Sequence, residues 1–544
     1  MEKYDTIQRY VLSGRRLVGG LAAAAVLFGG AVGANASCET SNLPTGMVPQ
    51  QESLVVALGA LGNEALDPIG GPSFNKQYLR LLYDTMIGSD LHDEGISSDT
   101  GIVCAWTVSE DQTTVTFSIR EGVQFTNGDE VTSEDVKFSL ERLSSDANLT
   151  PFGGTITGQI DQMSTPDQNT LVISLKRPSY SFIQLLAPIV SGTEAMIVSK
   201  EYVDDVGPET FKTSPMGTGP YKLANRSSGV EMVFEAKEGH FATGLPKFKR
   251  ITIRLIPEET TRIAQLRTGQ VDLADVSREN ASSLGDDGFQ LFMKPTGDVL
   301  MLLFQLYKPD SRFADPRVRE ALSLAINREE LNEFLFKGFG TLASTFASRA
   351  AVGHQALSVD PFDPDRARKL LQEAGVGAGD LTTQFQAFSF TGWPETRDTA
   401  NAIASYWENI GVKSTIIFRD YATYRAQWRE QELPEPAVTL QPMPGLPLPL
   451  GLFNAITKCG APLPILCDPI VDALIDQMAA AGVEEDYVSS YRKIEETLHE
   501  NRYIIPLLQA GPVLAGNEKI RSDYSVGLGF LGINLPMVYS GRQN

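Results

Sequence analysis

The segment TVSEDQTTVTFSIREGVQFTNGDEVTSEDVKFSLER, Thr107 to Arg142, decides the fold class. Val115, Phe117 and Ile119 alternate with polar residues, which is the period of a strand with one buried face. Asn127-Gly128 then supplies a turn, because both residue types tolerate left-handed backbone. Directly after it, Thr132-Ser133-Glu134-Asp135 opens a helix: Thr132 can cap, and the acidic residues suit the positive helix end. Val136, Leu140 and Leu143 fall on one helical face and form its buried stripe.

The same grammar recurs outward from this segment. Leu171, Ile173 and Leu175 alternate, as do Ile251, Ile253 and Leu255, so each predicts a further half-buried strand. In DPDRARKLLQEAGV, Asp363 caps, Pro364 takes the first helical position and Gly375 stops the helix. Asp315-Pro316 opens another helix with Val318, Ala321, Leu322 and Ala325 on one face. Asn327 with Glu330 has the form of a capping box for the next. Strands interleaved with helices predict a mixed α/β fold. The most biased stretch is QPMPGLPLPLG, Gln441 to Gly451, whose four prolines predict an extended segment lacking the donors of a central strand.

The first 36 residues carry the three parts of a secretory signal: Lys3, Arg9, Arg15 and Arg16, then an apolar run from Leu17, then Ala34-Asn35-Ala36. Cleavage is expected after Ala36, by the general route or, given Arg15-Arg16, the twin-arginine one. The remaining 508 residues exceed one hydrophobic core and predict two or three domains. Losing the signal takes the net charge from −21 to about −23, and such acidity argues against nucleic acid or anionic lipid as partner. Four cysteines in an exported chain read as a disulfide framework. Cys459 and Cys467 bracket a short loop whose closure contributes roughly 2 to 3 kcal/mol in the chain-entropy model. That leaves Cys38 with Cys104, although sequence leaves the other two connectivities open.

No zincin, nucleophile-elbow, phosphate-loop or paired CxxC motif is present, so no cofactor or metal is expected. His92, His240, His354 and His499 are scattered and read as surface or structural residues. Carboxylates pair in space rather than in sequence, so an enzyme remains a second reading.

Further motifs accompany Thr107 to Arg142 in a fixed order: LDP at Leu66 to Pro68, GTGPYKL at Gly217 to Leu223, and DPRVREALSLAINREEL at Asp315 to Leu331. ARKLLQEAG at Ala367 to Gly375, CDPIVDALI at Cys467 to Ile475 and IPLLQ at Ile505 to Gln509 follow. The whole set resembles extracellular solute-binding protein family 5, which serves peptide, opine and nickel ABC importers. The resemblance implies a two-lobed, type II periplasmic-binding-protein fold with an extra N-terminal subdomain. Its lobes would be 37–302 completed by 509–544, and 303–508. It implies a periplasmic monomer that closes on a small organic ligand and delivers it to a membrane permease. A secreted hydrolase and a receptor-coupled sensor are the alternatives. Most of the motifs themselves read as structural, the long one as strand, turn and helix.

The resemblance also implies site residues. One ligand clamp maps to Gly70, Gly71, Pro72 and Ser73, and Tyr421 stands where relatives carry a pocket tryptophan. Trp393 is a further candidate, whereas Trp407, on a helix face with Ile403, reads as core. Gln441 and Met443 belong to the second clamp, and there the sequence departs from the family. From Pro436 to Leu466 no acidic residue occurs, so the aspartate that would anchor a peptide amine is missing, and Lys458 is the only charge. The expected ligand is therefore one without a mandatory free α-amine: an opine, a sugar-acid conjugate or a capped peptide. With few histidines and no cluster of them, nickel is not expected.

Overall fold

The computed structural model describes Cys38 and residues 51–540, except 70–74, 90–95, 146–151, 189, 191–192, 243–244, 294–296, 309–310, 389–392, 519 and 522–538. The expected signal sequence and the clamp residues Gly70, Gly71, Pro72 and Ser73 lie outside the described residues. Among those described, no helix is long and apolar enough to cross a membrane.

Three sheets carry the fold. The first has seven strands and centres on Gln51–Leu58, which runs parallel to Phe248–Leu255 on one side and Leu273–Val276 on the other. The second has six strands, with Asp298–Phe304 and Ala437–Met443 antiparallel at its middle. The third is a four-stranded antiparallel sheet of Val103–Val108, Thr114–Ile119, Thr170–Leu175 and Ile160–Asp167. The predicted alternation is realised: Val115, Phe117, Ile119, Leu171, Ile173 and Leu175 are all buried.

The chain passes between the first two sheets twice. Gln290–Phe292 ends in the first sheet and Asp298–Phe304 begins in the second; Ile504–Ala510 then returns to Val513–Gly516. The passages are therefore residues 293–297 and 511–512, so the expected boundaries at 302/303 and 508/509 fall inside strands. The two passages lie against one another: a Cβ on Gly297 would stand 2.2 Å from the Ala510 carbonyl oxygen, which leaves room for glycine alone.

Caps act as the sequence predicts. Asp363 accepts from Arg366 N at 2.9 Å, Asp315 from Arg317 N at 2.9 Å, and Asn327 from Glu330 N at 3.1 Å. Thr132 instead donates both its N–H and its hydroxyl to Asp135, at 2.9 and 2.8 Å. Two distant motifs meet in the core, where Arg142 closes on Asp67 at 2.6 Å and Asp67 accepts from Ile69 N at 3.2 Å. Both disulfides form in the expected pairs, Cys38–Cys104 and Cys459–Cys467.

One expectation is corrected. The segment predicted to avoid a central strand begins inside one, because Gln441, Pro442 and Met443 pair with Met301, Leu300 and Val299. The other neighbour, Thr382–Phe388, pairs only as far as Thr439. Beyond that point the strand is bonded on one side only, so a proline without an N–H is tolerated.

Candidate ligand-binding site

A cavity of about 720 Å³ opens between the third sheet and elements packed on the second. Such a volume suits a small organic molecule. One wall comes from the short helix Gly153–Thr157, with Phe152 before it and Gln159 after it, and from Lys176 and Arg177 at the end of Thr170–Leu175. The other comes from helix Tyr421–Arg429, the strand end Gln441–Met443 and helix Leu450–Ile456.

Helix Tyr421–Arg429 is positioned by its sequence. Asp420 caps it by accepting from Thr423 N at 2.8 Å. Tyr421, Arg425, Trp428 and Arg429 then recur at helical spacing and all line the cavity. Tyr424 faces the core, stacked on Phe388 with centroids 4.9 Å apart. Trp428 Nε1 donates to the Pro464 carbonyl at 2.9 Å, tying the helix to the loop closed by Cys459–Cys467. That loop supplies Pro462 and Leu463 to the cavity, so its disulfide frames a wall.

The two walls also touch directly. A Cβ on Gly451 would fall 2.0 Å from the Phe152 ring, so only glycine admits that ring. Nearby, Tyr180 N donates to the Ala481 carbonyl at 2.8 Å and its hydroxyl to Glu484 at 2.9 Å, while its ring packs 5.4 Å from Tyr487.

Of the expected site residues, Tyr421, Gln441 and Met443 line this cavity together. Gln441 is 4% exposed and its Oε1 accepts from Tyr424 Oη at 3.4 Å. Trp393 does not line it. At 1% exposure it is packed beside the inter-sheet passages, its Nε1 donating to Asp298 at 3.3 Å and its ring 4.7 Å from the Arg278 guanidinium. Trp407 is core, donating to the Leu322 carbonyl at 3.0 Å.

Sequence reasoning did not single out Phe152, Gln159, Arg177, Arg425 or Trp428. The helical spacing from Tyr421 through Arg425 to Trp428 was a usable signal, since one anchor on a helix face nominates its neighbours three and four residues on. No sequence signal places residues 152–177 opposite that helix. Among the described lining residues the one carboxylate is Asp476, and it is engaged by Lys458.

Residues 101–460 match the bacterial extracellular solute-binding proteins, family 5. The chain belongs to this family. Its members are binders of solutes rather than enzymes. The glutathione-binding protein GsiB of Salmonella typhimurium is 29% identical over 377 residues, which cover 68% of this chain and 70% of that protein. Among solved structures, the periplasmic binding protein AgaA of A. tumefaciens R10, in complex with agropinic acid, superimposes with a TM-score of 0.77 at 22% identity. That match covers 90% of this chain and 99% of AgaA. A dipeptide-binding protein from a Pseudoalteromonas species, in complex with Met-Leu, gives 0.79 at 22% identity over 90% of this chain and 100% of the other. At these identities the structural matches establish the fold, that of two-lobed periplasmic binding proteins.

Proposed function

We propose that this chain is the periplasmic solute-binding component of an ABC importer. It would close two lobes on a small organic ligand and deliver that ligand, as a monomer, to a membrane permease. The lobes would hinge where the chain leaves one large sheet for the other, after Phe292 and after Ala510. The observation that carries this reading is a cavity whose walls come from separate sheets within a solute-binding family fold. Closure of such walls removes the ligand from water and presents a new surface to the transporter.

The ligand belongs to the part of the family's range that does not require a free α-amine: an opine, a sugar-acid conjugate or a capped peptide. Support comes from the missing aspartate between Pro436 and Leu466. The engagement of Asp476 by Lys458 points the same way. Relatives named for agropinic acid and mannopinic acid are compatible with this range. Tyr421, Gln441, Met443 and the clamp Gly70 to Ser73 are the proposed contacts.

The test is recovery of the protein from its native periplasm, mass spectrometry of any released small molecule, and calorimetry with the candidate classes. Release of an intact ligand that rebinds without turnover is expected. Steady conversion of the ligand to product would contradict the reading, and stabilisation by ordinary dipeptides but by none of the amine-free candidates would overturn the ligand assignment.

A further inference from the structure

The cavity reverses the charge balance of the chain that forms it. The whole chain carries −21, yet the described wall holds Lys176, Arg177, Arg425, Arg429 and Lys458 against Asp476 alone. Three of these cations are accounted for, Arg429 among them. Lys458 is paired with Asp476, and Lys176 Nζ donates to the Gly158 carbonyl at 3.0 Å. Arg177 and Arg425, on opposite walls, have no carboxylate partner among the described residues. Arg425 is half-buried, and its Nε is withdrawn from solvent without a protein acceptor. A guanidinium left unpaired beside apolar wall is costly, and the planar fork it presents fits a carboxylate.

The neutral polar groups point to what accompanies the acid. Gln159 donates through Nε2 to the Thr155 carbonyl at 2.9 Å, which leaves its buried Oε1 as an acceptor without a partner. Gln441 has its Oε1 occupied by Tyr424, which leaves its amide N–H₂ to donate. The surface between these groups is apolar, formed by Trp428, Met443, Leu450 and Ile456.

We infer that the ligand is an amphipathic organic acid without a free primary amine, its carboxylate held by Arg425 together with Arg177 of the facing wall. It presents a hydroxyl or amide N–H to Gln159 and an acceptor to Gln441, and lays an apolar stretch on Trp428 and Met443. This rests on the proposed function and names its substrate class and the residues that select it. A free-amine peptide is disfavoured because its ammonium would face uncompensated guanidinium groups.

Matched pairs test it. N-acetyl dipeptides and hydroxy acids are screened by thermal shift beside their carboxamides and beside free dipeptides, together with small-molecule extract of the native periplasm. Calorimetry on every compound that stabilises the protein follows, with wild type, Arg425→Gln, Arg425→Lys and Arg177→Gln. The expected hits are acids whose carboxamides bind at least about tenfold more weakly. Arg425→Gln is expected to lose at least about tenfold in affinity with the ligand-free melting temperature unchanged, Arg425→Lys to recover only part, and Arg177→Gln to lose less. Carboxamides that bind as tightly as the acids, or full affinity in Arg425→Gln, would overturn the inference while leaving the binding function intact. If neither panel nor extract contains anything that binds, it is the solute-binding reading that fails.

Discussion

Two arginines, Arg278 and Arg425, both sit on helices at inner faces of the molecule, and their surroundings differ in one respect. Arg278 is paired with a carboxylate where the chain passes between the large sheets. Its Nη1 meets Glu395 at 2.6 Å, its Nη2 donates to the Gly511 carbonyl at 2.8 Å, and its guanidinium lies 4.7 Å from the Trp393 ring and 5.0 Å from Phe336. Asp298 beside it is taken by Trp393 Nε1 at 3.3 Å and Gly445 N at 3.4 Å. Arg425 lines a cavity and has no carboxylate partner among the described residues. A buried charge that finds its partners within the fold is scaffold. One that does not is waiting for something outside it.

The comparison breaks first at the scaffold. Glu395→Ala leaves Arg278 buried with its carboxylate removed, and loss of one partner from such a pair costs about 3 to 5 kcal/mol. Urea unfolding of the ligand-free protein is expected to register that loss, whereas Arg425→Gln stays within about 0.5 kcal/mol of wild type. Equal effects of the two substitutions would erase the distinction.

Glu495 sharpens it, as a buried carboxylate held by backbone donors rather than by a cation. It accepts from Phe346 N at 2.8 Å and Ala347 N at 2.7 Å, and Phe346 in turn stacks 5.2 Å from Phe453 on a cavity-wall helix. Burial pushes its carboxyl up to about 7. Because the folded state holds the proton more tightly than the unfolded chain, the contribution is complete below pH about 4.5 and is lost as pH rises through about 7. The loss amounts to about 3 kcal/mol. Melting curves from pH about 4 to 8 are expected to show that decline in wild type and a flatter profile in Glu495→Gln. Parallel profiles would mean that Glu495 titrates in the folded protein as it does in the unfolded chain.

Much of the scaffold was legible because local rules decide it. The alternation at Val115, Phe117 and Ile119 needs only a sheet with one buried face, and the caps at Asp315, Asn327 and Asp363 act within three residues of themselves. The Cys459–Cys467 disulfide followed from compartment and loop length, and Cys38–Cys104 is the pair that remained. Where the rules compete, sequence reading went astray. Prolines argued against a central strand from Gln441 onward, but the strand loses one neighbour after Thr439 and the objection lapses there. Trp393, a further candidate for the site, instead covers Arg278 and donates to Asp298. The site was half legible. Tyr421, Gln441 and Met443 come from one stretch of chain, while Gln159 and Arg177 reach the cavity only through the packing of a separate sheet that no local pattern encodes.

Hydrogen–deuterium exchange of the whole protein, with and without a compound that stabilises it, tests most directly whether the unpaired charges mark the ligand site. The account predicts new protection in residues 152–159, in helix Tyr421–Arg429 and in helix Leu450–Ile456, three of the segments that wall the cavity. It predicts little change in the cluster of Arg278, Glu395 and Trp393, whose charges are already paired. Protection confined to that cluster, or to surfaces remote from the cavity, would contradict it.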